Sequence, residues 1–412
     1  MSSLLHLGST PPPPRGLPFR ALVGSPRWIG SLAALTGMTA LSIDMSLPAQ
    51  PTLMREFGVG SDRTQLTLSL FLLGYAIGQL IVGYVSDALG RRRLLLAGLA
   101  VFSLAGLACA ITTNLSVLIA LRFVQGTGAA SGTVIARAMV RDTHAGSEAA
   151  RLFATMTAVL CLAPMLAPIV GGFLLVHLGW RAIFTTLGLC GIALGVMTAL
   201  SLEETLAERR PLALGAIASS VGRFFRTRGT RGPSAVIALS FAAQFAFISG
   251  SPFVLIDGYK VEPSHYGFYF GATALALMAG SAAGGRLLKT GRPTRRVVTL
   301  GGLTLFVAAL ALAALVQVPA AGVLGLMVPV VGCFVGIGLV VPSSAAMAME
   351  PVPEIAGTAS ALIGFLQMVA GSVSGYVIAK IGGSNPRTLG LQVAILALAC
   401  AAMVFRPRRA SS

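Results

Sequence analysis

The sequence predicts an all-α membrane protein, with about twelve transmembrane helices in two pseudo-symmetric six-helix halves. Three observations predict it. Of 412 residues, 55% are hydrophobic and only 10% charged, with a mean hydropathy of +0.84, whereas soluble domains carry about 25% charged residues. Apolar runs of roughly 20 residues, enough to cross a bilayer, recur about twelve times. They are apolar all round rather than striped, unlike the helices of a soluble bundle. The third observation is the placement of the 30 Lys and Arg residues. With both termini on one side, twenty-three of them fall on that side and six on the other, leaving Arg122 inside a run. This is the positive-inside pattern; it predicts an even number of spans with both termini cytoplasmic. The net charge of +17 is therefore topological and no sign of a nucleic-acid partner. One cytoplasmic turn, Met349 to Glu354, has no basic residue.

The elements follow in order. Residues 1–27, with Pro11 to Pro14, are expected to form a disordered cytoplasmic tail; they are too broken for a signal peptide. An N-terminal half over 28–202 has turns near 51–64, 86–93, 113–115, 138–151 and 177–180. The last is a tight hairpin, His177 to Arg181, with Trp180 at headgroup level. Residues 203–232 form a charged cytoplasmic linker, part of it a helix lying on the anionic leaflet. A C-terminal half over 233–405 has turns near 257–264, 289–295, 318–320, 350–356 and 381–387, and 406–412 is a basic cytoplasmic tail. Duplication shows in Gly83 and Gly90, whose spacing and following basic residues recur at Gly284 and Gly291, with Leu288 in the place of Asp87. The offset is about half the chain, as in transporters built from parallel repeats.

Other classes are excluded by what the chain lacks. Its five cysteines all fall in apolar runs without a metal-ligand spacing, so neither a metal site nor a disulfide is expected. No Gly-x-x-x-x-Gly-Lys-Ser/Thr loop supports an ATP-driven pump. The four histidines lie at or near turns and pair with no Cys or carboxylate, so no enzyme is expected. A channel is disfavoured by the duplicated halves, which suit alternating access.

Several motifs then carry a resemblance. Gly83-x-x-x-Asp87-x-x-Gly90-Arg91-Arg92 resembles the helix 2–3 signature of the major facilitator superfamily. Arg122-Phe-Val-Gln125-Gly126-x-Gly128 resembles its helix 4 signature, and Ala163-Pro164-Met-Leu-Ala-Pro168-Ile-Val-Gly171-Gly172 its antiporter signature in helix 5. With Asp44-Met-Ser-Leu-Pro48 and Ser251-Pro252-Phe253-Val254, the likeness is to the Bcr/CflA drug-resistance subfamily and covers Arg27 to Phe405. Two departures are Ala88, often basic in the family, and Ala167, often Gly. The resemblance implies a monomeric, cofactor-free antiporter of the bacterial inner membrane, exporting small amphipathic drugs against inward proton flow. Carriage of a natural metabolite on the same scaffold is the alternative.

Individual residues receive roles on that basis. Asp44 is the one carboxylate well inside an apolar run; by helical rise from Arg55 it lies roughly 16 Å from the outer surface. Intramembrane carboxylates are functional by default, and Asp44 is the candidate proton carrier, the alternative being a structural hydrogen bond. Arg122 shares one helix face with Gln125 and Gly126. It either ties protonation to conformation or forms a fixed ion pair. Asp87 is expected to cap the start of helix 11 at Gly357 to Ser360, latching the inside closed, with Arg91, Arg92 and Arg141 as partners. Pro164 and Pro168 bend helix 5, and Gly171 and Gly172 admit a close neighbour. Candidate substrate contacts are Tyr75, Gln79, Gln244, Phe247 and Gln367.

Overall fold

The computed structural model describes residues 23–209, 214–382 and 384–406. Most of the N-terminal tail, residues 210–213 of the linker and most of the basic C-terminal tail lie outside those residues. The helices are α1 (Pro26–Asp44), α2 (Gln50–Glu56), α3 (Ser61–Leu89), α4 (Arg91–Ile111), α5 (Leu115–Thr143), α6 (Gly146–Leu178) and α7 (Trp180–Ser201). They continue with α8 (Leu214–Arg226), α9 (Arg228–Pro252), α10 (Pro263–Lys289), α11 (Thr294–Leu315), α12 (Gly322–Met349), α13 (Ala356–Lys380) and α14 (Pro386–Phe405). No strand occurs among the described residues.

Twelve of these helices run from 19 to 33 residues. Ten segments are long and apolar enough to cross a membrane. The two long helices that fall short are α1, with Ser31, Thr36, Thr39 and Ser42, and α10, with its His265, Tyr266 and Tyr269. Most of these polar residues face the interior: all four in α1 are buried, and so is Tyr266, while Tyr269 is half-buried and His265 exposed. Tertiary packing thus completes what a hydropathy window misses. Lipid-facing surfaces carry the apolar residues instead, as with Leu104, Ile111, Phe173, Leu324 and Ile395.

The packing scheme repeats. In the first half α1 packs on α5, α6 and α7, α5 on α3 and α4, and α4 on α7. The same six pairings recur when α1, α3, α4, α5, α6 and α7 are replaced by α9, α10, α11, α12, α13 and α14. The two halves meet along α3 with α13 and α6 with α10, which are also equivalent pairs. Between the halves runs the segment after Ser201, whose amphipathic α8 buries Phe224 in a cluster with Ile237, Ala348, Val352, Ala359, Leu362 and Ile363 of the second half. Arg223 of α8 pairs with Glu354 at 3.3 Å, so the acidic turn that lacks its own cation borrows one from the linker.

The contact between halves is one-sided. At the face away from the α3–α4 turn, Arg55 bonds Asp257 at 3.0 Å and Lys380 bonds Asp62 at 3.2 Å, each pair joining the two halves. Beneath them Ser249 donates to Gln65 at 3.0 Å and Ser372 to the carbonyl of Ser69 at 2.8 Å. At the arginine-rich face the halves part around a cavity of about 700 Å³. Its walls come from α3, α5 and the linker on one side and from Gly357 to Gly364 of α13 on the other. The structure is closed at one face and open at the other.

Candidate functional site

The first apolar run is not one helix. Helix α1 ends at Asp44, five residues turn, and α2 begins at Gln50 with Pro51 in its first turn. Proline disfavours helix in the residue before it and removes a donor, and here Pro48 lies within the interruption and Pro51 just after it. The depth expected for Asp44 assumed a continuous helix to Arg55; the break replaces that reading. Asp44 sits at a helix end buried inside the bundle, with a relative exposure of 5%. Among the described residues its carboxylate has no ion pair.

A broken helix leaves carbonyls without partners. The amide of Ser46 bonds the carbonyl of Ile43 at 3.2 Å, not that of Ser42 one residue back. Arg122 fills the gap: its Nη2 donates to the Ser42 carbonyl at 3.1 Å, its Nε to the carbonyl of Thr67 at 3.3 Å, and its Nη1 to Gln125 Oε1 at 2.7 Å. Phe71 lies 4.2 Å from the guanidinium, a cation–π distance, with Phe184 on a second side at 5.6 Å. No carboxylate pairs with Arg122 among the described residues, so neither a fixed ion pair nor contact with Asp44 holds it. A cation at a helix C-terminus is favoured by the aligned backbone dipoles. The expected face of Arg122, Gln125 and Gly126 is present, and Gly126 packs without room for a Cβ against the Phe71 carbonyl of α3.

The second half approaches the same break. Tyr266 of α10 is fully buried and bonds Ser251 at 2.8 Å. The adjacent Gly171 and Gly172 of α6 make this possible: a Cβ on the first would collide with the carbonyl of Met45, and one on the second with the carbonyl of Pro263. One glycine thus touches the α1 break and the next touches the start of α10 in the other half. Pro164 and Pro168 lie in the same helix, one and two turns before them.

The α3–α4 turn forms a second cluster. Asp87 pairs with Arg91 of its own half at 2.5 Å, and Arg91 also bonds Asp142 at 2.9 Å and Ser86. Asp87 does not cap α13: both line the cavity, from opposite walls, with Gly357, Thr358 and Ser360 facing it. The expected latch is open in this state. Arg92 turns away to the carbonyl of Ala199 at 2.8 Å, and Arg141 bonds the carbonyl of Arg137 at 3.4 Å, so neither partners Asp87. Glu204, unassigned by sequence reasoning, accepts from the amides of Arg91 at 2.8 Å and Arg92 at 3.2 Å. Its position directly after α7 is the only sequence signal it offered.

Of the candidate substrate contacts, only Gln79 lines the cavity, at its deep end with Thr133 and Gly364. Tyr75 is buried where α3 and α5 cross, and Phe247 is fully buried edge-on to Phe334 at 5.8 Å. Gln244 is buried, and neither it nor the half-buried Gln367 reaches the cavity.

Two six-helix halves related by one packing scheme, closed at one face around a buried carboxylate and open at the other, define the architecture of a membrane transporter. The Major Facilitator Superfamily profile matches residues 32–375, and the chain belongs to that family. It is 35% identical over 375 residues to the uncharacterized MFS-type transporter YdgK of Bacillus subtilis, covering 87% of this chain and 90% of that one. It is 31% identical over 382 residues to the bicyclomycin resistance protein homolog of Haemophilus influenzae, with 90% and 94% covered. The multidrug resistance protein MdtL of Citrobacter koseri is 28% identical over 356 residues, with 85% and 87% covered. Among solved structures, a D-xylose-proton symporter superposes with a TM-score of 0.72 at 14% identity, covering 93% of this chain and 98% of that one. A peptide transporter bound to sulfate gives 0.74 at 15% identity, covering 94% and 95%. These show the shared fold.

Proposed function

We propose that this chain is a proton-coupled secondary antiporter that exports small amphipathic drugs across the bacterial inner membrane, with both termini cytoplasmic. The observation that carries the reading is Asp44: a buried carboxylate with no ion pair among the described residues, at a helix break where both halves converge. Burying an unpaired charge is costly, so such a group exchanges a proton more readily than it stays ionised through the cycle. The drug-resistance names of two relatives support drugs as cargo. The arginine-rich face as cytoplasm follows from the positive-inside rule, and the cavity then opens inward. The proton gradient alone drives the cycle, without a bound cofactor, and the monomer is the working unit.

The cycle follows from the contacts. With the cavity open to the cytoplasm, drug enters past Gln79 and Asp44 gives up its proton. Rocking of the halves then parts Arg55 from Asp257 and Lys380 from Asp62, and the outside exchanges drug for a proton. Export of a natural metabolite is the second reading; it is favoured by the charged residues of the cavity, Asp87, Arg137, Arg141, Asp142 and Glu208, which suit a polar cargo. Drug efflux from proteoliposomes under an imposed pH gradient tests the proposal. Gradient-dependent efflux is expected; a cargo panel in which only polar metabolites move favours the second reading.

A further inference from the structure

We propose that Glu204 is a positioning residue that arms the Asp87 latch by keeping the amino terminus of α4 out of reach of Asp87. The proposal rests on the alternating-access reading above and names a residue outside all the motifs.

A carboxylate seeks free amides at a helix start. Asp87 lies in the last turn of α3, and the nearest such amides are those of Arg91 and Arg92, just across Gly90. Were Asp87 to cap them, it would be lost to α13. The structure shows those amides already taken. Glu204 Oε1 accepts from Arg91 N at 2.8 Å and Oε2 from Arg92 N at 3.2 Å. Gly90 has φ of +100°, and a Cβ there would stand 2.5 Å from Glu204 Oε2, so the glycine makes both the turn and the space for the carboxylate. Thr205 donates to Asp142 Oδ2 at 3.2 Å, fastening the linker to the residue that shares Arg91 with Asp87.

Among the described residues Asp87 is left with one ion pair, to Arg91, and a side chain 41% exposed on the cavity wall opposite Gly357 and Thr358. It can be drawn to α13 without uncapping α4. The far end of the linker is fixed to that target: Arg223 holds Glu354 and Phe224 packs on Ala359 and Leu362. Thr205 to Glu208 line the cavity between these anchors. The linker thus grips both partners of the latch, and Glu204 is its grip on the first.

The test reads closure of the inner face directly and does not depend on cargo, so failure of the drug-antiport reading leaves it intact. In a cysteine-free full-length background, Tyr84→Cys and Thr358→Cys, on opposite cavity walls, are cross-linked in membranes. Glu204→Ala is expected to lower the cross-linked fraction about threefold to fivefold, the effect of one charge at a helix end. In an Asp87→Asn background, itself lowered, Glu204→Ala should add nothing, which a merely structural role would not produce. Glu204→Gln, which keeps an acceptor but loses the charge, should fall between, and it carries the test if Glu204→Ala fails to fold. Undiminished cross-linking in the folded Glu204 variant, or an equal further loss on Asp87→Asn, overturns the proposal.

Discussion

Arg122 and Ser42 stand 80 positions apart and are joined by a hydrogen bond of 3.1 Å from guanidinium to backbone carbonyl. That carbonyl is the acceptor released where α1 stops at Asp44. The buried cation therefore needs no carboxylate: it stabilises a broken helix end, and through it the position of the buried Asp44. Asp44 is thus tied to α5 through two residues of backbone.

From this arrangement, Arg122→Lys is expected to impair transport although charge is kept. A lysine has no planar fork to reach Ser42, Thr67 and Gln125 together. Leaving the Ser42 carbonyl unpaired costs about 1–3 kcal/mol. Thermal unfolding in detergent should show a lowered midpoint, and efflux assays a larger loss than that lowering explains. Wild-type efflux in Arg122→Lys would mean that the three-way contact has no part in transport.

The glycine pair offers a sharper steric test. Gly172→Ala places a methyl against the Pro263 carbonyl, and backbone cannot yield as a flexible side chain does. The closed outer face should become inaccessible, holding the protein open outward. A cysteine at Ser249, buried beneath the outer ion pairs, should then label from outside several-fold faster than in the wild type. Gly195→Ala, with nothing within 4 Å, serves as the neutral control.

The two outer ion pairs should act weakly and together. Exposed pairs are worth about 0–1 kcal/mol each, so Asp257→Asn alone should raise outside labelling at Ser249 only slightly. Combining it with Lys380→Ala should raise it further. Exchanging Arg55 and Asp257 should restore the wild-type rate, because the pair joins the halves in either orientation. Failure of the exchange to restore it would assign the effect to something other than the pair.

Orientation has its own test. Cysteines placed at Ser61 or Ser264 should react with an impermeant reagent from outside, and one at Thr227 should not. Outside labelling at Thr227 would invert every side assignment.

Much of the fold was legible because a bilayer imposes it. Span length, all-round apolarity and the asymmetry of Lys and Arg are local properties, and they predict the helices; the polar segment at 203–232 and the echo of Gly83 and Gly90 in Gly284 and Gly291 predict the six-plus-six division. The break after Asp44 was less legible: Leu47, Ala49 and Leu53 keep the run apolar, so hydrophobicity continues where the helix does not. The spacing of Arg122, Gln125 and Gly126 correctly placed them on one face, whereas the Ser42 carbonyl is a backbone partner that no residue type announces. Phe247 and Tyr75 lie in the core rather than the cavity, and an aromatic in a membrane helix reads the same from sequence whether it faces cargo or core. Glu204 was hidden for another reason: its partners are amides more than 110 positions away. The expected cap of Asp87 on α13 would need a closed arginine-rich face, and this structure is open there.

The central claim is that Asp44 carries the proton. Asp44→Asn keeps size and hydrogen bonding but cannot titrate. Reconstituted in proteoliposomes with an imposed pH gradient, the variant is predicted to lose gradient-driven drug efflux while retaining downhill exchange, against a wild type that shows both. Undiminished gradient-driven efflux in Asp44→Asn would contradict the account and move proton coupling to another residue.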